Sequence, residues 1–120
     1  MNKDIIIKVA TESKISKYFS LEEIGIDNCA FPYEQAIMLV DMLRQSCVPI
    51  LGGDVYLKIG STIEITYDNW YCDKSVNESD GDFLKRSCDE AKCFISSYTE
   101  QKNAETLFSF VLTTSKGRFF

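Results

Sequence analysis

The chain has 120 residues, enough for one domain and no second sizeable core. Its 45% apolar, 12% aromatic and 26% charged residues suit an ordinary soluble globular domain and exclude intrinsic disorder and collagen-like or fibrous classes. The net charge is −5 and there is no histidine, which closes Ser-His-Asp and Cys-His catalysis, His-based acid–base chemistry and His-containing metal sites together.

The charge is unevenly spread. Residues 1–19 carry a net +2, residues 20–82 carry twelve acids against Arg44, Lys58 and Lys74 for a net −9, and residues 83–120 return +2. Nucleic-acid binding wants a basic stripe to neutralise phosphates, and an anionic membrane surface wants the same sign, so neither is expected as a partner. An acidic face does suit a basic protein partner, although mild acidity also serves solubility alone. The longest apolar run, Ala36–Val40, is far too short to span a bilayer. Ile5–Ile7 is too short for a signal-peptide core, and a cytosolic location is expected.

In chain order, Asp4–Ala10 is short, rich in Ile and Val, and predicts a strand or strand-like arm. Lys14–Phe19 predicts a helical turn, and Ser20–Glu23 opens a short helix that Gly25 ends. The strongest helix runs from Pro32 to about Cys47, with Pro32 suited to its first position. Tyr33, Ala36, Ile37, Val40, Leu43 and Cys47 form its apolar stripe, Met38, Leu39 and Met42 widen it, and Pro49 stops it. Ile50–Lys58 reads as a strand entered or interrupted by a glycine bend. Thr62–Tyr67 alternates with period two, placing Ile63, Ile65 and Tyr67 on one face, and Gly60-Ser61 joins the two as a hairpin.

Asp68–Gly81 predicts the long polar loop, a kind of segment that is usually functional or disordered. A second amphipathic helix follows from about Asp82 to Tyr98, with Leu84, Cys88, Ala91, Ile95 and Tyr98 as its stripe and Phe94 beside them. Thr99–Thr106 is a polar connection, and Leu107–Leu112 a closing strand. Lys116–Phe120 ends on two aromatics that either pack on the core or make a contact of their own. The order βα-ββ-αβ predicts a single α+β domain over residues 1–120, a mainly antiparallel sheet with two principal helices packed on it.

The five cysteines, at 29, 47, 72, 88 and 93, are odd in number and lack any C-x-x-C spacing. They read as small, buried, reduced thiols, and no pattern that would depress a thiol pKa is visible. No metal site and no cofactor are expected.

Two segments carry candidate function. In Gly52-Gly53-Asp54 the paired glycines allow positive φ or a close backbone approach, and Asp54 either bonds turn amides or faces a partner. No Gly-Lys-Ser/Thr follows and no helix opens after the glycines, which argues against a phosphate loop. Val55-Tyr56 and the short chain argue against a cyclic-dinucleotide cyclase. Further on, Trp70 is either a core anchor or, with Tyr71, an aromatic anchor ringed by Asp68, Asp73, Glu78, Asp80 and Asp82. That is the composition of a protein-binding hot spot. Asp80 and Asp82 also suit a helix N-terminus, where one of them would cap. An enzyme built on acids would have only Asp54 and Glu64 near the glycine bend, and catalysis ranks last.

Phe31-Pro32-Tyr33-Glu34-Gln35-Ala36, then Ile50-Leu51-Gly52-Gly53-Asp54-Val55-Tyr56, then Asn69-Trp70-Tyr71 stand in that order, with Arg86–Ala91, Phe94-Ile95 and Tyr98 downstream. This combination resembles the immunity protein 40 family of bacterial polymorphic toxin and contact-dependent inhibition systems, over most of residues 25–113. The sharpest piece is Leu51–Val55 followed by Asn69-Trp70. The resemblance implies a small, non-enzymatic cytosolic protein that binds a cognate toxin domain and blocks it without a cofactor; the oligomeric state stays open, with a monomer favoured. The expected toxin-binding residues are Asp68, Trp70, Tyr71, Asp73, Glu78, Asp80 and Asp82, and a nuclease toxin would have its phosphate site occupied by this acidic surface. The competing reading is a regulatory domain that binds an endogenous cytosolic protein.

Overall fold

The structure, a computed structural model, describes residues 2–99 and 104–112. The element order is helix α1 (Asn2–Glu12), strand β1 (Phe19–Ser20), a 3-10 turn (Glu22–Ile24), β2 (Cys29–Pro32), α2 (Tyr33–Gln45), β3 (Ile50–Ile59), β4 (Thr62–Tyr71), α3 (Asp80–Ser97), β5 (Glu105–Phe108) and β6 (Val111–Leu112). All strand pairs are antiparallel, in the order β1-β2-β5-β3-β4, and β6 continues beside β3 where β5 stops. The fold is α+β, as the segment pattern predicts.

One face of the sheet carries the helices. Phe31, Val55, Trp70 and Phe108 project from it and pack with Ala36, Leu39, Val40 and Leu43 of α2 and Cys88, Ala91 and Ile95 of α3. Ion pairs Arg44–Asp89 and Lys92–Asp41 bridge α2 to α3 on the outside, where solvent screening leaves each worth about 0–1 kcal/mol. The opposite face is covered only in part. Tyr56, Leu107 and Ala30 are buried there beneath Leu21, with Phe19, Ile24, Ile26 and Ile63 packed around them. Gly25 ends the 3-10 turn in the left-handed region at φ 80°, as its position in the sequence predicts.

Several expectations change. Asp4–Ala10 is helix, not strand: Ile6, Val9 and Ala10 lie at helical spacing and all three are buried against the core. The sheet therefore carries three helices rather than two. Asn2 fastens α1 to the far end of the chain, its side-chain amide donating to Phe110 O at 2.9 Å and its Oδ1 accepting from Leu112 N at 2.7 Å. Lys14–Phe19 makes no helical turn; Lys14 reverses the chain at φ 60° and Ile15 is buried. Pro32 is the N-cap of α2 rather than its first helical residue. That helix ends at Gln45, because Cys47 turns the chain at φ 58° before Pro49 is reached. Within its expected stripe, Tyr33 and Cys47 are exposed.

The closing strand is two, broken at Ser109-Phe110, although both pieces pair with β3. Strand β4 runs on to Tyr71, and α3 begins at Asp80, so the expected loop shrinks from both ends to residues 72–79. Neither Asp80 nor Asp82 caps α3. Ser79 does, its side chain accepting from Asp82 N at 3.1 Å. Lys116–Phe120 lies outside the described residues.

Candidate functional site

The register of β3 against β4 brings the two sequence motifs together. Gly52 faces Tyr71, Gly53 faces Trp70 and Asp54 faces Asn69, so Gly-Gly-Asp and Asn-Trp-Tyr are two sides of one ladder. The glycines are in strand, not in a bend, and close approach is what they serve. A Cβ on Gly53 would collide with Ser109 O and come within 2.7 Å of Trp70 Cζ3, because the indole lies directly over that backbone. One on Gly52 would meet Tyr71 Cα at 2.9 Å. Asp54 bonds through its main chain: its N–H donates to Ser109 Oγ at 3.3 Å and its carbonyl accepts from Ser109 N at 2.9 Å.

Trp70 faces the helices. Its ring stacks on Phe94 with centroids 4.8 Å apart and meets Phe110 edge-on at 5.9 Å, leaving the residue only 9% exposed. Of the two open readings, the geometry favours the core anchor. Tyr71, pointing the other way, is 76% exposed.

A cleft of about 180 Å³ opens on that outer face, lined by Leu51, Gly52, Gly53, Asp54, Asn69, Trp70, Tyr71, Asp73 and Val111. Burial raises the Asp54 carboxyl above its ordinary value. Among the described residues no hydrogen bond or ion pair engages the carboxylate of Asp54 or Asp73.

The other acids named from the sequence are placed differently. Arg86 gathers the 72–79 loop: Nε donates to Glu78 Oε2 at 2.7 Å, one terminal nitrogen reaches Glu90 Oε2 at 2.7 Å and Cys72 Sγ at 3.1 Å, and the other reaches Asp73 O at 2.6 Å and Glu78 Oε1 at 2.8 Å. Glu78 also accepts from Ser75 N at 3.0 Å, and with the Arg86 guanidinium beside it its carboxyl falls to about 2. Glu78 is thus a tie for the loop, only 12% exposed in its side chain. Asp80 pairs with Lys74, and Asp68 accepts from the Tyr98 hydroxyl. Asp82 is exposed on the first turn of α3, beside a shallow groove of about 390 Å³ whose other walls include Lys85, Arg86 and Asp89.

The thiols divide three and two. Cys29, Cys72 and Cys88 are buried, and burial pushes the Cys72 thiol up to about 12 and the other two to about 11. Cys47 and Cys93 are exposed, contrary to the expectation of five buried thiols. Among the described residues no group of three His, Cys, Asp or Glu side chains is arranged to hold a metal ion. No helix among them is long and apolar enough to cross a membrane.

Nothing in the sequence pattern singled out Tyr67. Between the pairs Tyr56–Ile65 and Asp54–Asn69, β3 has one residue and β4 has three, so β4 bulges at Thr66–Asp68. Tyr67 sits on this bulge at φ 68° with 84% of its surface exposed. Thr66 Oγ1 holds the bulge by donating to Val55 O at 2.8 Å and accepting from Asp68 N at 3.0 Å. Ile63 and Ile65 share a face as expected but differ in cover: Ile63 packs on the covered part, while Ile65, like Tyr67 on the bulge, stands exposed.

No curated protein and no solved structure matches the chain. The family model of immunity protein 40 matches it over residues 20–112, which takes in β2, α2, the β3–β4 ladder, the Arg86 tie and both closing strands. By that match, covering well over half of its length, the chain belongs to the immunity protein 40 family.

Proposed function

We propose that this chain is a cytosolic immunity protein that binds the toxin domain encoded beside its own gene and neutralises it by occupying a functional surface of that domain. The observation that carries the reading is membership of the immunity protein 40 family. The chemistry of the outer sheet face supports it. Tyr71 and Tyr67 are large aromatics left in water, and Asp54 and Asp73 line one cleft with Tyr71. Exposed aromatics beside unpaired carboxylates suit a basic protein surface, since the ring supplies buried area and the charges steer encounter. Tyr71 takes the anchoring role that Trp70 would have shared, while Glu78 and Asp80 act at the margin, their charges already engaged. A nuclease, whose own site is built to hold phosphates, is the toxin class that such an acidic face would block.

The test is co-purification of the tagged chain with that toxin domain, followed by assay of the domain's activity in the complex. A stoichiometric, inactive complex is expected. Recovery of an unrelated cytosolic protein, with the toxin domain left free and active, would replace this reading with that of a regulatory module.

A further inference from the structure

Residues directly opposed in an antiparallel ladder project from the same face. Gly52 is opposed by Tyr71 on β4 and by Val111 on β6, so these three make one row across the outer face with no side chain at its centre. Two strand spacings of about 4.8 Å separate the outer members, leaving a slot about one side chain wide. The chain cannot fill this slot itself, because a Cβ on Gly52 would run into Trp70 O and Tyr71 Cα. Asp54 stands two residues along β3 on the same face, and Asp73 two residues beyond Tyr71, and both line the cleft over the slot.

We propose that the slot over Gly52 is a socket for one Lys or Arg side chain of the toxin domain, its aliphatic stem between Tyr71 and Val111 and its cation against Asp54 and Asp73. The identity of the partner rests on the immunity reading; the chemistry of the occupant rests on the cleft. Neighbouring acids have their cations already: Glu78 and Glu90 have Arg86, Asp80 has Lys74, and Asp89 has Arg44. Asp54 and Asp73 have none among the described residues. The walls are mostly apolar, which suits the stem of a long basic side chain. A bare divalent ion fits poorly, since two carboxylates fall well short of the six to eight oxygens that calcium takes. The volume of about 180 Å³ is below the ~300–1,000 Å³ of small-molecule pockets.

The experiment is a titration of the isotope-labelled chain with acetyl-arginine methylamide and, in parallel, with its neutral isostere acetyl-citrulline methylamide, followed at the backbone amides by NMR. Saturable shifts at Gly52, Gly53 and Tyr71 are expected with the arginine compound alone, and they vanish in Asp54→Asn/Asp73→Asn. Equal shifts with both compounds, or none with either, overturn the socket. Affinity for the toxin domain is then compared between wild type and the same double variant, with thermal melts to show that both are folded. A loss of about 30-fold or more is expected from removing two carboxylates that meet a buried cation. If the toxin domain binds both forms equally, the socket is wrong and the immunity reading stands. If it binds neither form while the arginine-specific shifts persist, the immunity reading is wrong and the socket stands.

Discussion

Gly53 shows how a single residue couples fold to surface. Its missing Cβ leaves room for Trp70 to lie over β3, and strand alternation then puts Tyr71 on the outer face. Gly53→Ala should therefore cost about 3 kcal/mol, the upper end of overpacking penalties, because the obstacle includes the rigid Ser109 carbonyl. Urea unfolding measures it, and a cost near zero would mean that the indole moves freely. Tyr67 makes the opposite case. A non-glycine residue at φ 68° carries about 1–2 kcal/mol of strain, and its ring, being exposed, returns little by packing. Tyr67→Gly should leave stability unchanged or raise it by up to about 1 kcal/mol, while weakening toxin binding. A clear loss of stability would show that the ring is structural. The Glu78–Arg86 tie gives a pH signature. The Glu78 carboxyl falls from its ordinary 4.5 to about 2 in the folded chain, so its stabilisation is complete above pH 4.5 and is lost as pH falls toward 2. Wild type should lose stability over that window more steeply than Glu78→Gln, as read from denaturant midpoints at a series of pH values.

At the scale of elements, α1 and β4 teach most about what a sequence reveals. Ile5-Ile6-Ile7 is β-branched throughout and predicts strand by local preference, yet Ile6, Val9 and Ala10 are spaced for a helix and the core takes them as one. Short apolar runs satisfy both periods, and only the tertiary partner decides. The principal helices and the β3–β4 hairpin were legible because long amphipathic patterns and a Gly-Ser turn leave little choice. Two extra residues in β4 were not, since such a bulge leaves no mark in composition and, being two residues long, returns Asn69 and Tyr71 to the face that plain alternation gives them. Although α1 lies ahead of the family match at residue 20, it is part of the core. Ile6→Ala should cost about 2–5 kcal/mol in denaturant unfolding, and a value below 1 kcal/mol would mean that α1 is dispensable.

Over the whole molecule, the acidic excess of residues 20–82 divides by use. Asp41, Glu78 and Asp80 tie helices and the 72–79 loop together, whereas Asp54 and Asp73 have no ion-pair partner among the described residues around the cleft. Net charge alone could not make this division, because it depends on which cations the fold brings within reach. One sheet face packs Phe31, Trp70 and Phe108 into the helix-side core, while the other buries Tyr56 and leaves Tyr67 and Tyr71 in water. The measurement that tests the account most directly is growth of bacteria induced to express the neighbouring toxin domain, with and without this chain. Full rescue by wild type, and failure of rescue by Asp54→Lys/Asp73→Lys that is folded and equally abundant, is the predicted result. Growth arrest that wild type does not relieve would contradict the account at its centre.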